Sequence, residues 1–286
     1  PMPRERRPRR RFDLKIPLSH NRAIGIDELS ARTRTVGHLN GKTALITGAS
    51  SGIGAHFAQL LTRHGARVAL AARRVERLTE TKAQIEAQGG TARIYGFDAT
   101  GRDAPDALFD SLQADGFAPS ILINAAGVSR PGRAERNTMD DFDETVGVNL
   151  RTPWRLAQLC AAHWIKTGEE GSIVNVSSML ARRVGPGVSI YCMTKAALSH
   201  LTAAQAREWA QYGIRVNALS PGYIETEINE GFWETPAGRQ ELDRLPRKRL
   251  GKPRDLDSAI LFLTDPASGF VNGADIVVDD AQSWAI

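Results

Sequence analysis

Cysteine is nearly absent from this chain of 286 residues: there are two, Cys160 and Cys192, too few to build a disulfide framework. Such a chain fits a reducing compartment, and the cytoplasm is the default expectation. Long apolar runs are missing as well. None approaches the about 18 residues that a membrane-spanning helix requires, so no membrane partner is expected. What remains, 42% hydrophobic and 24% charged residues, is the profile of a globular protein with a full core.

A net charge of +5 and a pI near 9.5 would suit a nucleic-acid binder if the charge were spread over the body. Residues 1–40 hold ten Lys/Arg and four Asp/Glu, which leaves 27 basic and 28 acidic residues in the remaining 246. A near-neutral body speaks against nucleic acid as a partner. The leader combines Pro and Arg with few apolar residues and cannot fold alone. Its RRFDLK run loosely resembles a twin-arginine export signal, but residues 16–22 behind it are not apolar. One reading is a flexible arm, partly packed on a neighbouring subunit through Phe12, Leu14 and Ile16. The other is a site for an anionic partner, or an organelle transit sequence. The division expected is a basic N-terminal extension over 1–38 and one folded domain over 39–286.

Within that domain, an apolar run at 43–46 reads as a buried strand and leads into TGASSGIG at 47–54, followed by a helical pattern. Glycines between a strand and a helix let backbone N–H groups approach a pyrophosphate at the positive helix end. A second strand is read at 67–72. An enzyme selecting NAD places a carboxylate at the end of that strand to bond the ribose 2′-hydroxyl. Here the position holds Ala72, and Arg73 and Arg74 follow. Planar guanidinium groups suit a 2′-phosphate, which points to NADP. A third strand at 92–97 ends at Asp98, placed to meet an adenine edge, and a fourth at 119–123 ends in Asn124-Ala125-Ala126-Gly127, small enough for close approach of backbone to cofactor. Alternating strands and helices at this spacing predict an α/β fold, a doubly wound parallel sheet of Rossmann type. A helical stretch at 146–150 carries Asn149 on an apolar face, where something must need its amide.

Residues 177–195, SSMLARRVGPGVSIYCMTK, hold the chemistry. Tyr191 and Lys195 are four apart in a helix read through Trp209, so the ammonium can lie beside the phenol. A free tyrosine has a pKa of about 10, and a nearby positive charge is expected to lower it toward the working range. Ser178 upstream can hold a substrate oxygen. Ser177 is its rival and reads as a packing residue at a strand end. Cys192, one residue beyond Tyr191, turns about 100° away and reads as a small core residue rather than a redox sensor.

With these motifs in order, the chain resembles the short-chain dehydrogenase/reductase family over about residues 39–280. The loop at 47–54 matches that family's TGxxxGxG at every fixed position. Residues 124–127 match its NNAG except that Ala125 replaces the second Asn, a mild departure in a motif that chiefly stabilises the central strand. Asn149, Ser178, Tyr191 and Lys195 fall on the catalytic four, with Ser178 13 residues before Tyr191. Asn217, Pro221, Gly222 and Thr226 match the loop that holds the nicotinamide carboxamide. The resemblance implies a site for NADP(H) built from Gly48, Ser50, Ser51, Gly52, Ile53 and Gly54, from Arg73, Arg74, Asp98 and Ala99, from Asn124, Ala125, Ala126 and Gly127, from Tyr191 and Lys195, and from Pro221, Gly222, Ile224 and Thr226. No metal is expected. It also implies a reaction: hydride passes from NADPH to the carbonyl carbon of a ketone or 3-oxoacyl compound, and Tyr191 gives a proton to the oxygen. Ser178 orients that oxygen, Lys195 tunes the tyrosine and holds the nicotinamide ribose, and Asn149 positions a relay water. Oxidative work on an alcohol or sugar alcohol, or an NADP-binding regulatory role, are the alternatives.

Residues 227–246, with Phe232 and Trp233, occupy the place of the family's substrate lid. Arg182, Arg183 and 247–249 could favour an acidic or thioester-linked substrate, or serve as surface charge and subunit contacts. A last helix is read at 254–263 and a final strand at 270–279. That strand ends in Val278-Asp279-Asp280-Ala281 where the family has VDGG at a subunit interface. A homotetramer is the family expectation, with a dimer second.

Overall fold

The computed structural model describes residues 38–227 and 229–285; most of the segment read as an extension lies outside them. Seven strands form one parallel sheet: β1 (Thr43–Thr47), β2 (Arg67–Ala72), β3 (Thr91–Gly96), β4 (Ile121–Asn124), β5 (Gly171–Val176), β6 (Ile214–Pro221) and β7 (Asp275–Val278). Their order is β3-β2-β1-β4-β5-β6-β7. Around it lie α1 (Gly52–Arg63), α2 (Val75–Glu86), α3 (Ala104–Ala114), α4 (Met139–Val146), α5 (Thr152–Thr167), α6 (Ser189–Trp209), α7 (Pro236–Arg244) and α8 (Asp257–Thr264).

Successive side chains of a strand face opposite ways. Ala44 and Ile46 of β1 join one core with Phe57 and Leu61 of α1 and Ile260 and Leu263 of α8. Leu45, between them, joins the other with Phe109 and Leu112 of α3 and Leu156 and Trp164 of α5. Burial on both faces explains why these strands read as continuous apolar runs. β1 pairs with β2 on one side and β4 on the other. The chain thus winds away from β1 in both directions, and such a switch point opens a crevice at the carboxyl ends of the strands.

Three sequence expectations are modified. The helical stretch around Asn149 is present, but Gly147–Arg151 takes the wider π pitch; such turns persist where a side chain has bonds to make, and Asn149 makes three. The final strand begins at Asp275 rather than 270. Ahead of it side chains replace the ladder: Asn272 Oδ1 accepts from the Val216 N–H at 2.9 Å, while Asn217 accepts from the Ala274 N–H at 3.0 Å and donates to the Val271 carbonyl at 2.9 Å. The last helix opens with a 3-10 turn at Pro253–Leu256 before α8. Among the described residues, no helix is long and apolar enough to cross a membrane, and no cluster of His, Cys, Asp and Glu could hold a metal ion.

Candidate active site

The loop after β1 is shaped by close approaches. Gly48 has φ +70°, and a Cβ there would meet Ala126 backbone atoms at 2.9 Å; a Cβ on Gly54 would run into the Gly48 carbonyl. Bare α-carbons therefore let the glycine loop lie directly on the turn after β4. Thr47 Oγ1 joins them by accepting from the Ala125 and Ala126 N–H groups, each at 3.1 Å. The N-cap of α1, Ser51, makes no side-chain cap, and the first turn holds no acidic residue. Free N–H groups at an uncapped helix start attract an anion, so this end fits a pyrophosphate.

A cleft of about 380 Å³ lies above these strand ends. It is lined by all six loop residues expected from the sequence, together with Arg73, Arg74, Asp98, Ala99, Ala125, Ala126, Gly127 and Thr226. Asp98 Oδ1 accepts from the Thr100 N–H and hydroxyl at 3.0 and 2.9 Å; these bonds, with Arg73 nearby, hold its carboxyl below the usual range. Arg74 donates to the hydroxyls of Ser51 at 2.6 Å and Ser50 at 3.3 Å. Thr226 closes the other wall: a Cβ on Gly52 would meet its methyl at 3.3 Å, and Asn229 Oδ1 accepts from its N–H at 3.1 Å.

Six expected cofactor residues do not line the cleft: Tyr191 and Lys195 stand beside it, and Asn124, Pro221, Gly222 and Ile224 belong to the framework. Asn124 is buried in the sheet and donates to Asn175 Oδ1 at 2.8 Å; Asn175 donates onward to Thr202 at 2.9 Å. It ties β4 to β5 and α6. Pro221 ends β6, the Gly222 N–H donates to the Val278 carbonyl at 3.0 Å, and Ile224 is a core residue bridged to Gly251. These three hold the segment that delivers Thr226.

The four residues expected to be catalytic converge beside the cleft. A Cβ on Gly127 would meet Lys195 Nζ at 3.6 Å and Asn149 Oδ1 at 3.7 Å, so that glycine keeps open the space between them. Asn149 Oδ1 accepts from the Val128 N–H at 2.9 Å, and its amide donates to the Val128 carbonyl at 2.9 Å and Thr194 Oγ1 at 3.1 Å. Both amide hydrogens are used to hold the turn against α6. Ser178 Oγ accepts from the Leu180 N–H at 3.1 Å, and its hydroxyl is close enough to the Tyr191 phenol to favour the ionised form. Ser177 is turned to α6, bonding the Lys195 carbonyl and Ser199, and Cys192 is buried against Met179 and Leu180.

The electrostatics differ from the expectation. Lys195 Nζ lies 5.5 Å from the centre of the Tyr191 ring and donates to the Val176 carbonyl at 2.8 Å. Burial pushes the Tyr191 phenol above its ordinary value, with the Ser178 hydroxyl opposing. The same burial brings Lys195 down to about 8. Desolvation disfavours both charged forms. The Tyr191 phenol therefore stays protonated through the neutral range, beside the Ser178 hydroxyl.

On the substrate side, Trp233 stacks edge-on with Tyr223 and Phe232, each pair 5.0 Å between ring centres. The basic residues named above are already engaged: Arg182 with Asp275 at 3.4 Å, Arg247 with Asp280 at 3.2 Å and Arg249 with Asp280 at 3.0 Å. Lys248 pairs with Asp243 at 3.6 Å, and the Arg183 guanidinium lies 4.9 Å over the Trp284 ring. They lend no support to an acidic substrate.

Residues 48–280 match the family model described as enoyl-(acyl carrier protein) reductase. The chain is 36% identical over 242 residues to gluconate 5-dehydrogenase of Gluconobacter oxydans, covering 84% of this chain and 94% of that protein. It is 35% identical over 241 residues to a 3-oxoacyl-(acyl-carrier-protein) reductase of Thermotoga maritima, covering 84% and 97%. A crystal structure of a gluconate 5-dehydrogenase from Burkholderia cenocepacia, in complex with NADP and tartrate, superposes with a TM-score of 0.82 at 33% identity, covering 88% of this chain and 98% of that one.

Proposed function

The chain belongs to the short-chain dehydrogenase/reductase family, an oxidoreductase family acting on C=O and CH–OH groups with a nicotinamide cofactor, and from that premise we propose that it is an NADPH-dependent carbonyl reductase, turning a ketone or 3-oxoacyl compound into a secondary alcohol. The observation that carries this reading is the convergence of Tyr191, Lys195, Asn149 and Ser178 beside the glycine-lined cleft, with Lys195 Nζ 5.5 Å from the Tyr191 ring centre. A reduced nicotinamide supplies, when bound, the hydride for the carbonyl carbon. Ser178 binds the carbonyl oxygen, and Tyr191 transfers its phenolic proton there as negative charge develops. Lys195 then faces the phenolate with its ammonium. The gap beside Gly127, flanked by Lys195 Nζ and the remaining lone pair of Asn149 Oδ1, suits a water that returns the proton. NADPH rather than NADH follows from Ala72, which offers no carboxylate, and from Arg73 and Arg74 in the cleft.

The pH dependence has a definite sign. Reduction requires a protonated Tyr191 and a cationic Lys195. Because Lys195 titrates at about 8, the reductive rate should fall as pH rises through that value, while oxidation of an alcohol, which needs the phenolate, should gain with pH. A reductive kcat that stays level to pH 10 in saturating substrate would contradict this assignment of Lys195.

The function is tested by NADPH consumption on a panel of ketones, diketones and 3-oxoacyl thioesters, repeated with NADH. Turnover with NADPH in preference is expected. Oxidative work on an alcohol or sugar acid is the second reading, favoured by likeness to gluconate 5-dehydrogenase; turnover confined to NADP⁺ with polyols would put it first. Tight NADPH binding without turnover on either panel would instead favour a regulatory role. Cytoplasmic residence and a homotetramer, with a dimer second, belong to the same proposal; the exposed Trp154 and Ile165 of α5 and Met193 of α6 support an association.

A further inference from the structure

Arg74 does not stand free in the cofactor cleft. One guanidinium nitrogen, Nη2, donates to the Ser51 and Ser50 hydroxyls, and the other, Nη1, donates to Glu227 Oε2 at 3.1 Å. The second oxygen of that carboxylate, Oε1, lies 4.0 Å from Arg77 Nη2. Glu227 directly follows Thr226, which lines the cleft, so its carboxylate is presented at the cleft's edge by the segment that leaves β6. The cluster therefore combines two hydroxyls and a guanidinium, the donor set that suits a phosphate dianion, with one carboxylate occupying half of the guanidinium fork.

We propose that Glu227 is a specificity-determining residue for the nucleotide: an internal competitor that holds Arg74 and that a ribose 2′-phosphate must displace. The inference rests on the NADP(H) reading of this cleft. A 2′-phosphate and the Glu227 carboxylate seek the same guanidinium and repel each other, whereas a 2′-hydroxyl carries no charge to contest it. Glu227 thus lowers the affinity for NADP(H) selectively and narrows the gap to NAD(H). Both side chains are about half exposed, so substitution leaves the core intact.

The test is direct binding by titration calorimetry with the full chain, using NADP⁺, NAD⁺ and 2′,5′-ADP. Glu227→Gln is expected to tighten NADP⁺ and 2′,5′-ADP by roughly threefold to tenfold, leaving NAD⁺ within about twofold, and the gain should shrink in high salt. Arg74→Ala should weaken NADP⁺ selectively, and Glu227→Gln added to it should bring less than about twofold, the part left by direct repulsion, because the contested cation is gone. The proposal is overturned if Glu227→Gln changes NADP⁺ and NAD⁺ alike, changes neither, or keeps its full gain without Arg74. Failure of the wild-type protein to bind either nucleotide would overturn the oxidoreductase reading, and this inference with it; an unselective response in a protein that binds both would remove this inference alone.

Discussion

Tyr191→Phe should lower turnover by about 10²–10⁴-fold, the range expected when a positioned acid or base is deleted, while NADPH still binds within about twofold of wild type. The phenyl ring keeps its place against Lys195, and the variant loses only the phenolic hydroxyl. The glycine loop, Arg73 and Arg74 are untouched, so binding and chemistry separate in one variant. Single-turnover NADPH oxidation beside a binding titration measures both. Retention of more than about a tenth of the wild-type rate would show that another group delivers the proton. A parallel loss of nucleotide affinity would mean that the substitution disturbs the cleft itself.

Trp164→Ala should cost about 3–5 kcal/mol of stability, as large-to-small core substitutions of aromatics do. Trp164 on α5 is fully buried, and its indole N–H donates to the Pro119 carbonyl at 2.7 Å just ahead of β4. Its ring also lies where a Cβ on Gly171, at the head of β5, would be. The side chain thus packs one helix onto the start of two neighbouring strands, and truncation opens a cavity and leaves a carbonyl without its donor. The melting temperature should fall by roughly 6–20 °C at fixed protein concentration, with Trp164→Phe losing about 1–3 kcal/mol through the hydrogen bond. A fall of less than about 3 °C for the alanine variant would show that the site collapses around the gap.

Much of this arrangement is legible in the residues because it depends on local pattern. The strand at Arg67–Ala72 is readable end to end, since burial on both faces demands an unbroken apolar run. The glycine loop and the Tyr191–Lys195 spacing are equally local. What escapes the sequence depends on distance or depth. The i, i+4 rule places Lys195 beside Tyr191 but says nothing of desolvation, which raises the phenol. Thr47 is legible as part of the loop motif, but only the fold turns its hydroxyl toward the Ala125 and Ala126 N–H groups. Glu227 stands 153 positions from Arg74, beyond any local rule. The final strand is over-read because Phe270 and Val271 extend an apolar run that the asparagine side chains have already claimed.

The strand order also sets a schedule for the ribosome. Thr43 pairs with Arg67 and Arg67 with Thr91, so β1, β2 and β3 can associate soon after they emerge, with little chain between them. The other edge of β1 takes Ile121 against Ala44, a partner translated much later. N-terminal elements emerge and fold first, and non-local parallel pairings are slow to form. Until β4 arrives, a nascent chain carries a central strand with an apolar middle, Ala44 to Ile46, and one bare edge, and an open edge of that kind is a template for pairing with another polypeptide. The hazard for production of this protein thus falls in the interval between β3 and β4, and slow translation there would lengthen it.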